Sequence, residues 1–140
     1  ETMAVAMTAA ETGHLVLSTL HTLGAANTID RIIDVFPPNQ QRQIAVQLSS
    51  VLRAVVSQQL VPDVNESLIP AFEIMKTTPA IKNMIRENKV HQIDGLIYSS
   101  AGGDMVSMDA SLQRLVKEGR ITRHEALGHA SNPEMLGKRI

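Results

Sequence analysis

The chain has no cysteine and no tryptophan, and aromatic residues make up only 2% of its 140 positions. Without cysteine there is no disulfide framework and no thiolate metal site, a composition that suits the cytoplasm. With so few aromatics, Leu, Ile, Val, Ala and Met have to fill the core. Neither sign of charge is in excess: 13 Lys and Arg against 14 Asp and Glu leave a net charge of -1. That balance gives no general attraction to nucleic acid or to an anionic membrane. No apolar run approaches the roughly 20 residues of a membrane span, and no signal peptide is visible. There is no Gly-rich phosphate loop with Lys-Ser/Thr, and no acidic residue at the end of a strand to hold magnesium. The sequence starts at Glu1, in a stretch that reads as mid-helix, and we expect a piece of something longer.

What remains is ordinary globular material, 44% hydrophobic and one domain in length. Met3, Ala6, Met7 and Ala10 recur at helical spacing, and Gly13 stands where a helix C-cap glycine belongs. "HLVLSTL", residues 14–20, is nearly continuous in apolar character, as a parallel strand covered on both faces would be. Ala26, Ile29, Ile33 and Phe36 then mark an amphipathic helix stopped by Pro37 and Pro38. Residues 1–36 therefore predict helix, strand, helix: an α/β sheet caught part-way. A longer helix is expected over 39–57, with Ile44, Leu48, Val51, Leu52, Val55 and Val56 inward. "QQLVP" and "SLIPAFEIM" read as two strands around "DVNE". Pro62 and Pro70 each remove a ladder donor, which places them at an edge or a bulge.

After Thr78 everything reads as helical. Thr78 and Pro79 supply an N-cap and a first-turn proline for "PAIKNMIREN". "VHQIDGLIYSS" gives a short helix, and "AGGD" at 101–104 breaks the chain. In "SMDASLQRLVKEG", Met108, Leu112, Leu115 and Val116 face inward and Gly119 is the stop. "TRHE" at 122–125 is a capping box with Ile121 as a staple, and "SNPE" at 131–134 opens a last helix.

His21 lies at the C-terminal end of the predicted strand, the edge where open α/β sheets bind ligands. A neutral imidazole there can donate to a phosphate oxygen and register its loss; a loop histidine bonded to backbone is the plainer alternative. His14, at the other end, has weaker grounds. "HEALGH" does not make a zinc motif, because His124 and His129 are five apart, about 140° around a helix. The last three helices lack the basic recognition helix of a DNA reader. Lys82, Arg86 and Lys89, spaced by four and three, form a polar face that is either solvated or a docking surface.

Three stretches together resemble a known family. "TAAETGHLVLSTLHT" followed by "AANTIDRIIDVFP" resembles the histidine-box region of the secretion ATPases that drive type II secretion and type IV pili. "AVVSQQL" and "AFEIM" fit the following helix and hairpin. "TPAIKNMIRE" resembles the Ala-Ile-Arg-Asn-Leu-Ile-Arg-Glu motif of the retraction branch, the PilT-like motors of twitching motility. The lack of cysteine agrees, since assembly and export ATPases typically carry a four-cysteine zinc insert. In this chain, Lys82 stands where the motif usually has arginine, and Leu23-Gly24 replaces a polar pair.

The resemblance implies an α/β fold: residues 1–77 as the C-terminal half of a RecA-like, P-loop NTPase core, and residues 78–140 as a helical C-terminal segment. It implies a homo-hexamer that hydrolyses ATP with Mg2+, both bound mainly by residues outside this chain. His21 and His14 would be catalytic, with His21 and Thr22 touching nucleotide and no residue here binding metal. Ala80, Ile81, Lys82, Asn83, Ile85, Arg86 and Glu87 would couple hydrolysis to retraction through an inner-membrane platform protein, on the cytoplasmic face of the membrane. The 140 residues alone are expected to be inactive. The alternatives are a non-enzymatic α/β interaction module and the accessory retraction ATPase of the same family.

Overall fold

A computed structural model describes residues 1–100 and 103–140. Its organising element is an antiparallel hairpin of β1 (Ala54–Pro62) and β2 (Leu68–Lys76). Both strands alternate with period two. Val55, Ser57 and Val61 face inward on β1, opposite Met75, Glu73 and Ile69 on β2. Pro62 ends β1, and Pro70 sits opposite Leu60 on a strand with no second full neighbour among the described residues, as expected of edge positions. Beyond the hairpin, a single bridge among the described residues, Ile74 to Val106, extends the ladder.

Three helices precede the hairpin: α1 (Thr2–Glu11), α2 (Ala25–Asp34) and α3 (Pro38–Val51). Helix α1 ends in a Schellman motif: Gly13, at φ 95°, donates to Ala10 O, and His14 N–H reaches Ala9 O. After the hairpin come α4 (Pro79–Arg86), a 3-10 turn at Val90–Gln92, α5 (Ile93–Ser99), α6 (Met108–Lys117), α7 (Arg123–His129) and α8 (Pro133–Gly137). The cap expected at Thr78 and the Thr122 half of the expected capping box are present, and Asn132 adds a further cap. Thr78 Oγ1 accepts from Ile81 N–H, Thr122 Oγ1 from Glu125 N–H and Asn132 Oδ1 from Met135 N–H. The break expected at "AGGD" includes Ala101 and Gly102, which lie outside the described residues.

Two apolar clusters hold these elements. One joins α1, α2, α3, α4 and α5 through Met7, Ile29, Leu48, Ile81, Ile85 and Ile93, with Val55 and Met75 of the hairpin. The other packs Leu112 and Leu115 of α6, Ala126 and Leu136 on Val61, Ile69 and Ala71. The hairpin thus gives one end of its inner face to each cluster. As the composition requires, aliphatic side chains and methionine fill both.

Two expectations are corrected. Residues 14–20 form no strand, because no backbone hydrogen bond joins 15–23 to another described segment. Leu15 and Leu17 are 85% and 87% exposed, so the anticipated cover on both faces is absent among the described residues. Helix α3 stops at Val51 rather than at residue 57. Leu52 turns extended, with ψ 128°, and Ala54 pairs with Lys76, which places Val55 and Val56 in β1. Val55 is then buried and Val56 exposed, the alternation of a strand and not the stripe of a helix.

Candidate functional site

The irregular stretch 14–20 leads to His21, on a loop that runs directly into α2. His21 is exposed there, and Thr22 is half-buried behind it. The hydroxyls of Thr22 and Thr28 lie 2.7 Å apart, and Thr28 Oγ1 also reaches Gly24 O, so the loop is tied to the helix that follows it. Gly24 stands at φ 86° and ψ 149°, a left-handed backbone that favours glycine. A Cβ there would sit 3.7 Å from Glu73 Oε1, an ordinary contact, so the backbone angle rather than space demands the glycine.

His14 is placed differently. Its Nδ1 lies 3.2 Å from both Ala9 O and Thr12 Oγ1, which fixes the ring at the end of α1. No hydrogen bond joins His14 to His21 among the described residues. The two histidines therefore belong to opposite ends of the irregular stretch, one fastened to a helix terminus and one open to solvent.

The retraction-type motif divides by face. Ile81 and Ile85 are fully buried against the first cluster, and Lys82 and Met84 are half-buried. Ala80, Asn83, Arg86 and Glu87 are exposed, as is Lys89 beyond the helix. Among the described residues Lys82, Arg86 and Lys89 make no ion pair, which leaves a cationic surface on α4 and the turn after it.

Two buried carboxylates escaped sequence reasoning. Glu73, 6% exposed, accepts from Ala25 N–H through Oε1 at 3.0 Å and from Met108 N–H through Oε2 at 3.3 Å. Burial pushes its carboxyl above the ordinary value, the two backbone donors pull it back in part, and the charges of Asp94 and Asp109 add to the rise. Asp109, 5% exposed, accepts from Ser131 N–H at 2.7 Å and from Asn132 N–H at 3.0 Å, joining α6 to the start of α8. Both carboxylates border a cleft of about 870 Å³ between the Leu23–Gly24 corner and helices α5, α6 and α7. His21 and Thr22 are not among its lining residues. The available signal for Glu73 was its parity: it stands at an inward position of a strand otherwise carrying Ile69, Ala71 and Met75.

These residues do not build a nucleotide site by themselves. The first N–H of α2, next to the His21 loop, is already taken by a carboxylate, which disfavours a phosphate at the same spot. Among the described residues, no three His, Cys, Asp or Glu side chains gather as a metal site. What the described residues show is an exposed imidazole and a half-buried hydroxyl on the loop before α2.

Residues 1–125 match the model of the type II/IV secretion system protein family, and the chain belongs to that family. It is 44% identical over 137 residues to the twitching motility protein of Neisseria gonorrhoeae, covering 97% of this chain and 37% of that protein. It is 46% identical over 134 residues to the type IV pilus retraction ATPase PilT of Pseudomonas aeruginosa, covering 96% of this chain and 39% of PilT. The crystal structure of the pilus retraction motor PilT with bound ADP superposes with a TM-score of 0.86 at 40% identity, over 98% of this chain and 38% of that one. The fold is thus that of the matching part of a secretion ATPase. The chain spans under two fifths of the length of these relatives.

Proposed function

We propose that the chain is the C-terminal part of the motor domain of a type IV pilus retraction ATPase. The observation that carries this reading is the 46% identity to a retraction ATPase over nearly the whole chain. In the complete protein, a phosphate loop and an acidic Walker B segment from outside these residues would hold ATP and Mg2+. His21 then presents its imidazole toward the γ-phosphate, and Thr22 steadies the loop through Thr28. His14 anchors the other end of the stretch to α1. We assign residues 1–77 to the nucleotide-binding core and residues 78–140 to the coupling segment. The exposed face of α4, with Asn83, Arg86 and Glu87, would meet the machinery that is moved, while Ile81 and Ile85 hold that face in place. A homo-hexamer acting on an inner-membrane platform protein from the cytoplasmic side completes the reading. No helix among the described residues is long and apolar enough to cross a membrane.

The test uses the complete coding sequence, purified with Mg-ATP. The intact protein should hydrolyse ATP, His21→Ala should lose most of that turnover with the fold unchanged, and residues 1–140 alone should show none. Turnover by the 140 residues alone, or an upstream sequence with neither a phosphate loop nor Walker B, would sink the assignment. The second outcome would favour a non-enzymatic interaction module.

A further inference from the structure

Glu73 is a charged residue in a row of core positions, and no Lys or Arg pairs with it among the described residues. Burying a carboxylate in that row costs solvation that an aliphatic side chain would not. What it gains is two donors: the N–H of Ala25, first residue of α2, and the N–H of Met108, first residue of α6. The opening N–H groups of any helix lack intrahelical partners, and a negative charge at the positive helix end is favourable. Helix α2 has no side-chain cap of its own, because its N-cap is Gly24. Helix α6 has one, Ser107, which accepts from Ala110 N–H.

The bonds continue on both sides. Toward the N-terminus, Thr22 is tied to Thr28 within α2. Toward the C-terminus, Asp109 of α6 holds the N–H groups of Ser131 and Asn132 ahead of α8. A continuous series of short contacts therefore joins the His21–Thr22 loop to the last helices, and among the described residues Glu73 bridges its two halves.

We infer that Glu73 is the positioning residue that fastens the start of α2, and with it the His21–Thr22 loop, to α6, so that displacement of the loop moves the C-terminal helices. This rests on the function proposed above for the loop, but the fastening itself does not. Glu73 acts through α2 and touches no nucleotide. Its bivalency is the critical property. Glutamine keeps the shape and one acceptor oxygen, but turns an NH2 group toward the second N–H donor.

The experiment has two arms. In the 140-residue chain, Glu73→Gln should speed amide hydrogen exchange about ten-fold at whichever of Ala25 and Met108 its NH2 group faces, the order of one lost charge-assisted bond. It should also shift the amide resonances of His21 and Thr22. Ser107→Ala, which weakens α6 alone, should leave His21 and Thr22 where they are. Should Glu73→Gln fail to fold, acid titration of the wild type serves instead. The Ala25 and Met108 amides should titrate with one midpoint, with Asp94 and Asp109 as the charged neighbours to be tracked alongside. Exchange unchanged at both amides, separate midpoints, or an equal response of His21 and Thr22 to Ser107→Ala would overturn the inference.

In the complete protein, Glu73→Gln should lower kcat about ten-fold while KM for ATP moves by less than about two-fold, because only the response and not the binding is altered. Wild-type kcat in that variant would contradict the role in coupling. A wild-type protein with no turnover at all would refute the proposed function instead, with the exchange arm still deciding whether Glu73 fastens the two helices.

Discussion

Replacing Ile85 by alanine separates the anchoring face of α4 from its exposed face. Ile85 and Ile81 are both 0% exposed. The change removes three carbons, at about 0.8 kcal/mol each, or roughly 2.4 kcal/mol of lost transfer energy. A residual cavity of ~50 Å³ adds about 1.2 kcal/mol at 24 cal/mol per Å³. The better helix propensity of alanine returns only a few tenths of a kcal/mol. The expected loss is therefore ~3–4 kcal/mol. With an unfolding entropy of about 2.1 cal/mol/K per residue, that lowers Tm by about 10 °C. Arg86→Ala, one position on, removes an exposed side chain with no ion pair among the described residues and should change stability by less than about 0.5 kcal/mol. Urea and thermal unfolding of the two variants, side by side with wild type, give both numbers. Equal losses for Ile85→Ala and Arg86→Ala would refute the division of the motif into a buried and a presented face. So would an Ile85→Ala variant as stable as wild type.

Other outcomes follow from the same contacts. Asp109→Ala removes the buried carboxylate that accepts from the Ser131 and Asn132 N–H groups and should cost about 1–3 kcal/mol in urea unfolding, with α8 exchanging faster than α4. Gly24→Ala forces a side chain into backbone at φ 86° and ψ 149°, a region essentially reserved for glycine, and should cost about 1–3 kcal/mol, with Gly24→Asn no better because its preference is for αL at smaller ψ. For pH, the Glu73 carboxyl is raised by burial, so the folded state binds its proton more readily than the unfolded chain. The associated stability is present below the ordinary glutamate value and is lost as pH rises through the raised one. Wild type should therefore gain on Glu73→Gln as pH falls from 7 toward 4, and a gap that widens in the opposite direction would reverse the assignment.

The local parts of this fold were legible in the sequence because local chemistry determines them. Thr78-Pro79 and Thr122 cap the helices they were expected to cap, and Gly13 and Gly119 adopt the positive φ that ends α1 and α6. The boundary between α3 and β1 was not, because Val51, Leu52, Val55 and Val56 satisfy a helical stripe as well as a strand. Pairing of Ala54 with Lys76, a contact distant in sequence, decides it. Residues 14–20 carry the composition of a strand, but a strand is made by its neighbour, and no described segment lies alongside. His21 and Thr22 were expected at the tip of that strand, and what the pattern located was the start of α2 just beyond them. Glu73 could not be placed, since its partners stand 48 and 35 residues away and are backbone N–H groups that no side-chain motif announces. The apolar parity of β2 marked its position as inward, without saying what it would hold.

The most direct measurement is a structure of the complete assembled protein with Mg2+ and a non-hydrolysable ATP analogue, read at His21. We predict an imidazole nitrogen within hydrogen-bond reach of a γ-phosphate oxygen, about 3 Å, with the carboxylate of Glu73 still bonded to α2. An imidazole left in solvent, remote from every phosphate while the nucleotide is fully bound, would contradict the account.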